Sequence, residues 1–399
     1  MNAIFSKRKQ CDLFPKQNYD KMSAIQSINA RSRISKYVGL LPFNITSKGS
    51  VEISIFWSIW SLIPFALLTA GVIWTSYVES RVDYIDSKDK QHIKEIIFVT
   101  VIISSKNIIV IAFLALHLVW LFRNYKKLES AFKYLMEIEG KLPKMESSWQ
   151  QAVTYGIVLI CIFSELHPDG YTPYIITYTL VNMVPSGLVF AALHQFTELL
   201  QICRYHFRKI SSTFEEVKLT LEMLTPESRK SALLEQCKKN NDLIGCCEKL
   251  NYCYGPLLLI TVINCFAEIS SSLFIIHYYW DFLYNQTFFI CMWMLMFLCL
   301  LRYLLASCEK TVDMANEFYD NLAETLLNCN DLSNEPCFTV SLLSRKTLNF
   351  SAFGYFTIDY GLFFSIIAAS ITYFLVFIEF NSLSSVSKAH LNATIYVDQ

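Results

Sequence analysis

Between Thr372 and Phe380 the chain reads TYFLVFIEF. Seven of these nine residues are apolar or aromatic, yet the last turn holds a glutamate, Glu379. A carboxylate is costly in a soluble core and costly against lipid. What surrounds this stretch therefore decides how it is read, and the rest of the chain supplies the surroundings.

The 399 residues are 53% hydrophobic and 15% aromatic, with 17% charged and a mean hydropathy of +0.35. Soluble domains are less apolar and more charged. The apolar residues are packed into long uncharged runs, the pattern of a membrane protein. Net charge is zero, which gives no pull toward nucleic acid. The opening MNAIFSKRKQ lacks the apolar centre of a signal peptide, so the first apolar run is expected to act as its own insertion signal.

Seven spans are expected, at residues 53–78, 96–122, 149–166, 174–196, 252–280, 282–307 and 355–380. A bilayer core takes about 20 apolar residues per helix, and only the third run, ending in Ser164 and Glu165, falls short. With the N-terminus inside, twenty-seven Lys and Arg fall on the cytosolic side and five outside. That bias fixes the expected orientation: N-terminus cytosolic, C-terminus extracellular. The fold class is thus an all-α membrane protein of seven transmembrane helices with a helical cytosolic anchor region. It divides into a cytosolic segment 1–52, helices 1–4 over 53–196, and a cytosolic helical extension 197–251. Helices 5–6 follow over 252–307, an anchor segment over 308–354, the last helix over 355–380 and an extracellular tail over 381–399. The inside-N orientation is the reverse of a G-protein-coupled receptor.

The inner segments read as helix rather than coil. FTELLQICRYHFRKISSTFEEVKLTLEML carries apolar residues at helical spacing. Thr225-Pro226-Glu227-Ser228 marks a stop and a restart, with Thr225 as N-cap and Pro226 at the first helical position. The fourth and fifth spans are expected to run on as an antiparallel pair, and 308–328 repeats the theme below the sixth. Such helices bury their apolar stripes only by packing together.

No catalytic signature is present: no glycine-rich phosphate loop, no HExxH, no GxSxG. The seven histidines are scattered over different segments. None of the thirteen cysteines falls in an expected outer segment, and Cys246, Cys247 and Cys253 fit no zinc spacing. An enzyme, a metal site and a cofactor are therefore not expected.

The last span carries more. Ser365, Ala369, Thr372, Val376 and Glu379 fall within about 40° of one line on a helix. The remaining surface is bulky, with Phe364, Ile367, Phe374, Leu375, Phe377 and Ile378. A small stripe lets membrane helices pack closely. A small polar stripe ending in a carboxylate also suits a water-filled pore, which one helix cannot enclose and an oligomer can.

TYFLVFIEF also resembles the C-terminal signature of insect gustatory receptors: Thr-Tyr, five hydrophobic residues, then Gln-Phe. Thr372, Tyr373 and Phe380 match, and Glu379 stands in the place of the Gln. FGYFTIDYGLFF from Phe353, and EKLNYCYGPLLL at the start of the fifth span, are similar to the family's style. The resemblance implies a tetrameric, ligand-gated cation channel whose last helix lines a central pore above a cytosolic anchor domain. It places the gate at Glu379 and Phe380.

For a ligand, the outer halves of the middle spans hold the candidates. Lys106 lies mid-span, where a lone lysine costs about 2.5–3.5 kcal/mol. Glu268 is the acid nearest the middle of another span. Either the two pair, or they face a polar pocket with Asn107, Tyr178, Asn182 and Ser271, its mouth lined by Tyr174, Tyr278 and Trp280. The expected function is a gustatory receptor, a tastant-gated non-selective cation channel in the plasma membrane of sensory neurons. Its expected partners are the small-molecule tastant, permeant cations, the bilayer and further subunits, as a homotetramer or a heteromer with related receptors. The rival reading is a chemoreceptor that signals metabotropically or serves as a non-conducting accessory subunit.

Overall fold

The computed structural model describes residues 43–45, 51–54, 70, 90–138, 173–220, 223, 225–279, 284–328, 335–343 and 345–397. The expected first and third spans lie outside the described residues, save Ile53, Ser54 and Ala70. Among the described residues the fold is helical, with two short antiparallel hairpins. In the first, β1 (Phe43–Ile45) pairs with β2 (Val51–Ile53), Phe43 opposite Ile53, so Ile53 closes a strand and does not open a span.

Helix α1 (Lys90–Arg123) contains the second expected span and stops at Asn124, whose side chain donates to the Trp120 carbonyl at 3.0 Å. A second helix, α2 (Tyr125–Glu137), follows at once, where the span reading had only a loop. Its Leu128, Ala131, Phe132 and Leu135 are buried at helical spacing.

The next two helices are long. α3 (Pro173–Thr220) has 48 residues and α4 (Pro226–Tyr279) has 54, about 70 and 80 Å at 1.5 Å per residue. Both far exceed the ~30 Å of a bilayer core, so each continues well beyond it. Pro226 opens α4 as the sequence suggests: its missing N–H costs nothing at that position. The Ser228 N–H donates to Thr225 Oγ1 at 3.4 Å and the Arg229 N–H to the Thr225 carbonyl at 3.0 Å. α5 (Tyr284–Asn328) is likewise continuous from the sixth expected span through 328.

The parts of α3, α4 and α5 outside the expected spans pack on one another. Phe207, Phe214, Leu233, Leu243, Leu250, Phe318, Tyr319 and Leu322 are all buried in one core. Each such side chain stabilises by about 1.5–3 kcal/mol relative to exposure. The Phe214 and Phe318 rings meet edge to face at 5.3 Å, and Tyr319 donates to Asn241 Oδ1 at 2.6 Å. At the periphery Lys230 pairs with Glu335 at 2.6 Å, just before α6 (Pro336–Leu343).

A second hairpin, β3 (Ser351–Ala352) and β4 (Phe356–Thr357), leads into the last helix, α7 (Tyr360–Val397). The last span was expected to start at 355; the structure starts its helix at Tyr360 and carries it on through Val397, past the expected end of 380. The local chemistry explains the late start. Phe353 and Gly354 adopt left-handed backbone, with φ of 54° and 83°, which turns the chain back on itself. Asp359 then caps the helix, its Oδ1 accepting the Leu362 N–H at 3.0 Å.

Four stretches of described helix are long and apolar enough to cross a membrane: Lys106–Arg123, Pro226–His277, Ile290–Asn328 and Tyr360–Phe380. In the first three, 39–44% of the apolar window is buried within the chain; in the last, 11%.

Candidate pore helix and intramembrane polar site

α7 docks by one side only. Ile366 and Ser370 are buried, and Phe363, Phe374 and Phe377 are half-buried beside them. The docking is aromatic: Phe377 meets Phe274 at 4.6 Å, Phe374 meets His277 at 5.6 Å, and Tyr373 lies 6.2 Å from Phe266. All three partners sit on α4, so the C-terminal part of α4 carries the last helix.

Ser365, Ala369, Thr372, Val376 and Glu379 are all exposed, on a line about 150° around the helix from the docked face. Phe380 is 70% exposed. The two hydroxyls in the stripe bond back to their own helix, Ser365 to the Gly361 carbonyl at 2.8 Å and Thr372 to the Ala368 carbonyl at 2.9 Å. Their protons are thereby engaged, which leaves the hydroxyl oxygens only their acceptor capacity. A surface of small side chains, hydroxyl oxygens and a carboxylate is complementary to cations rather than anions. Phe364, Ile371 and Leu375, also exposed, form a separate greasy flank.

The second group lies inside the bundle. Lys106 Nζ on α1 donates to Glu268 Oε1 on α4 at 2.7 Å, and Ser186 Oγ on α3 donates to the same oxygen at 3.5 Å. The Glu268 side chain is 4% exposed and that of Lys106 15%. Three helices are thus tied at one carboxylate, and the pair offsets the cost of placing each charge in the bilayer alone. Asn107, next to Lys106 in the sequence, is buried, and Ser271, half-buried, bonds to the Glu268 carbonyl at 3.2 Å. The side chains of Tyr174, Tyr178, Asn182 and Tyr278, on α3 and α4, lie outside the described residues, as does Trp280. Ser186 was not among the sequence candidates: a serine in an apolar helix carries no mark of its partner.

Among the described residues no cluster of His, Cys, Asp and Glu has the makings of a metal site. Outside the spans, Cys203, Cys246 and Cys247 meet where α3 and α4 pack, all three buried. The hydrogen bond with Cys203, then burial, hold the Cys246 thiol well above its ordinary value, so it stays protonated and inert.

A family model described as the 7tm chemosensory receptor matches residues 30–384. No curated protein sequence matches the chain. Among solved structures, the insect olfactory receptor OR5 from Machilis hrabei is similar at 11% identity and a TM-score of 0.57, over 90% of this chain and 99% of that one. The same receptor in complex with eugenol is similar at 12% identity and a TM-score of 0.58, over the same shares. At these identities the likeness is one of fold. The resemblance drawn from TYFLVFIEF therefore holds at the level of the family model, which covers most of the sequence: the chain belongs to the 7tm chemosensory receptor family, a family of membrane receptors and not of enzymes.

Proposed function

We propose that this chain is a gustatory receptor that works as a tastant-gated, non-selective cation channel, with α7 lining a pore shared among four subunits. One observation carries the reading. The small, polar stripe Ser365–Ala369–Thr372–Val376–Glu379 is exposed on a helix whose opposite side is docked on α4. In a lone chain this surface is exposed, and a four-fold ring turns four such stripes toward one axis. Glu379 then forms a ring of carboxylates beside an apolar constriction at Phe380, which closes the pore by dewetting. The orientation that suits this reading is the one from the charge count, with 1–52 and the α3–α4–α5 extensions, including 197–251 and 308–354, in the cytosol.

The tastant is a small molecule held in the outer half of the bundle, around Lys106, Asn107, Glu268 and Ser271. Tyr174, Tyr178, Asn182, Tyr278 and Trp280 complete that pocket. The similar olfactory receptor solved in complex with eugenol supports a small-molecule ligand for this fold. The cell is a sensory neuron and the membrane its plasma membrane.

Cysteine scanning tests the pore. Ala369→Cys and Val376→Cys are expected to let a small cationic methanethiosulfonate reduce current evoked by a panel of sugars, alkaloids and phenols. Leu375→Cys, on the greasy flank, is expected to be silent. Equal sensitivity of the flank and the stripe contradicts the assignment.

A further inference from the structure

At the Arg123 end of α1 lies a belt of aromatic and basic side chains that the channel reading does not use. Trp120 Nε1 donates to the Tyr252 carbonyl at 3.0 Å, and its ring lies 5.3 Å from Tyr252 and 5.0 Å from Phe353. Lys127 Nζ stands 3.5 Å over the Tyr252 ring. Arg123, Lys126, Lys127 and Lys249 are all exposed here. Two carboxylates, half-buried Glu129 and exposed Glu248, sit on the same helices and leave the patch net positive. Aromatic rings beside Lys and Arg at the end of an apolar helix mark the level where hydrocarbon gives way to headgroups.

The belt runs without a break into an apolar groove of about 350 Å³. Phe113, Leu116, Pro256 and Leu259 line its floor, with Phe353 and Tyr355 from the β3–β4 hairpin as its wall. Phe353 belongs to both belt and groove. The ten residues from Arg123 back to Phe113 rise about 15 Å. That is half of a ~30 Å hydrocarbon core, the depth of one leaflet. The groove is open to the side, with Leu116 51% and Tyr355 71% exposed.

We propose that groove and belt together form a binding site for an anionic phospholipid. One acyl chain fills the groove, and the phosphate sits against Arg123, Lys126 and Lys127. The leaflet is the one at the Arg123 end of α1, cytosolic in the orientation above. Charge complementarity selects this occupant: interfaces between protein copies are depleted of charge at their centre, whereas this apolar groove ends in a cluster of exposed cations. Because the hairpin leads straight into α7, the bound lipid braces the start of that helix.

The test uses the purified full-length protein, stripped by detergent exchange and given mixed micelles with equal phosphatidylserine and phosphatidylcholine. Native mass spectrometry is expected to show phosphatidylserine preferentially retained, and added phosphatidylserine to raise the melting temperature more than phosphatidylcholine does. In the Arg123→Gln/Lys126→Gln/Lys127→Gln variant the preference falls by about fivefold per charge removed, the worth of one basic residue at an anionic surface. Leu116→Trp, at an exposed position that the fold tolerates, fills the groove and lowers retention of both lipids. Equal retention of the two lipids by the wild-type chain, or an undiminished preference in the triple variant, overturns the proposal. So does loss of oligomer, with lipid retention unchanged, in Leu116→Trp, which gives the groove to a second copy of the chain.

Discussion

Lys106 and Glu268 show what a single residue reveals on its own. Each is a charge in an otherwise apolar helix, and each is costly there, so the sequence points to both. Their 2.7 Å contact is what makes them affordable. Removing one partner strands the other, at about 3–5 kcal/mol, while replacing both with apolar residues is close to neutral. Lys106→Met and Glu268→Gln are each expected to lower the yield of folded protein by size-exclusion chromatography. Lys106→Met/Glu268→Leu is expected to recover most of it. A double variant as poor as the worse single variant would show that the pair does more than neutralise itself. His206, outside the spans, makes a similar point for pH. It is 2% exposed, and burial, helped by Lys209, pushes it down to about 4. The folded chain thus keeps it neutral, while the unfolded chain protonates it near 6.5. Its contribution is fully present above pH 6.5 and is lost as pH falls toward 4, about 3 kcal/mol in all. His206→Phe is expected to flatten the fall in thermal stability between pH 7 and pH 5.

Among the elements, the long helices were legible and the short ones were not. The joint at Thr225-Pro226 and the stretch through Asn328 follow from apolar residues recurring every three or four positions over many turns. α2 has the same periodicity in YKKLESAFKYLME, but its charged residues remove it from any search for spans. The strands of the β3–β4 hairpin are two residues each, too short for any period to show, so the last helix was expected five residues too early. What fixes the hairpin is tertiary. The Ser351 N–H donates to Asn251 Oδ1 at 3.3 Å, and a Cβ on Gly255 would come within 3.2 Å of the Phe353 ring and 3.3 Å of its Cα. Gly255→Val is therefore expected to displace the hairpin from α4 and speed proteolysis around Phe353–Tyr355. Gly245→Val, where no atom lies near the added carbon, is the control expected to leave cleavage unchanged.

For the whole molecule, the contrast in burial between helices is the guide. A chain that buries 39–44% of three apolar windows and 11% of the last has left that last surface for other contacts. The sequence showed which residues form the stripe on α7, because small and polar side chains at helical spacing stand out among Phe, Ile and Leu. It did not show where α7 docks, which depends on Phe266, Phe274 and His277 of α4. Nor does any periodicity mark the lipid-facing groove, whose walls come from three separate segments. The central claim is that the α7 stripes of several subunits form a cation pore gated at Phe380. The most direct test needs no ligand: record Phe380→Ala, confirmed at the cell surface by biotinylation, in excised patches without nucleotides. A constitutive cation current is predicted that the wild-type chain lacks without ligand, with external calcium block weakened when Glu379→Gln is added. A surface-expressed Phe380→Ala chain that carries no current, or a current whose calcium block ignores Glu379→Gln, would contradict the account.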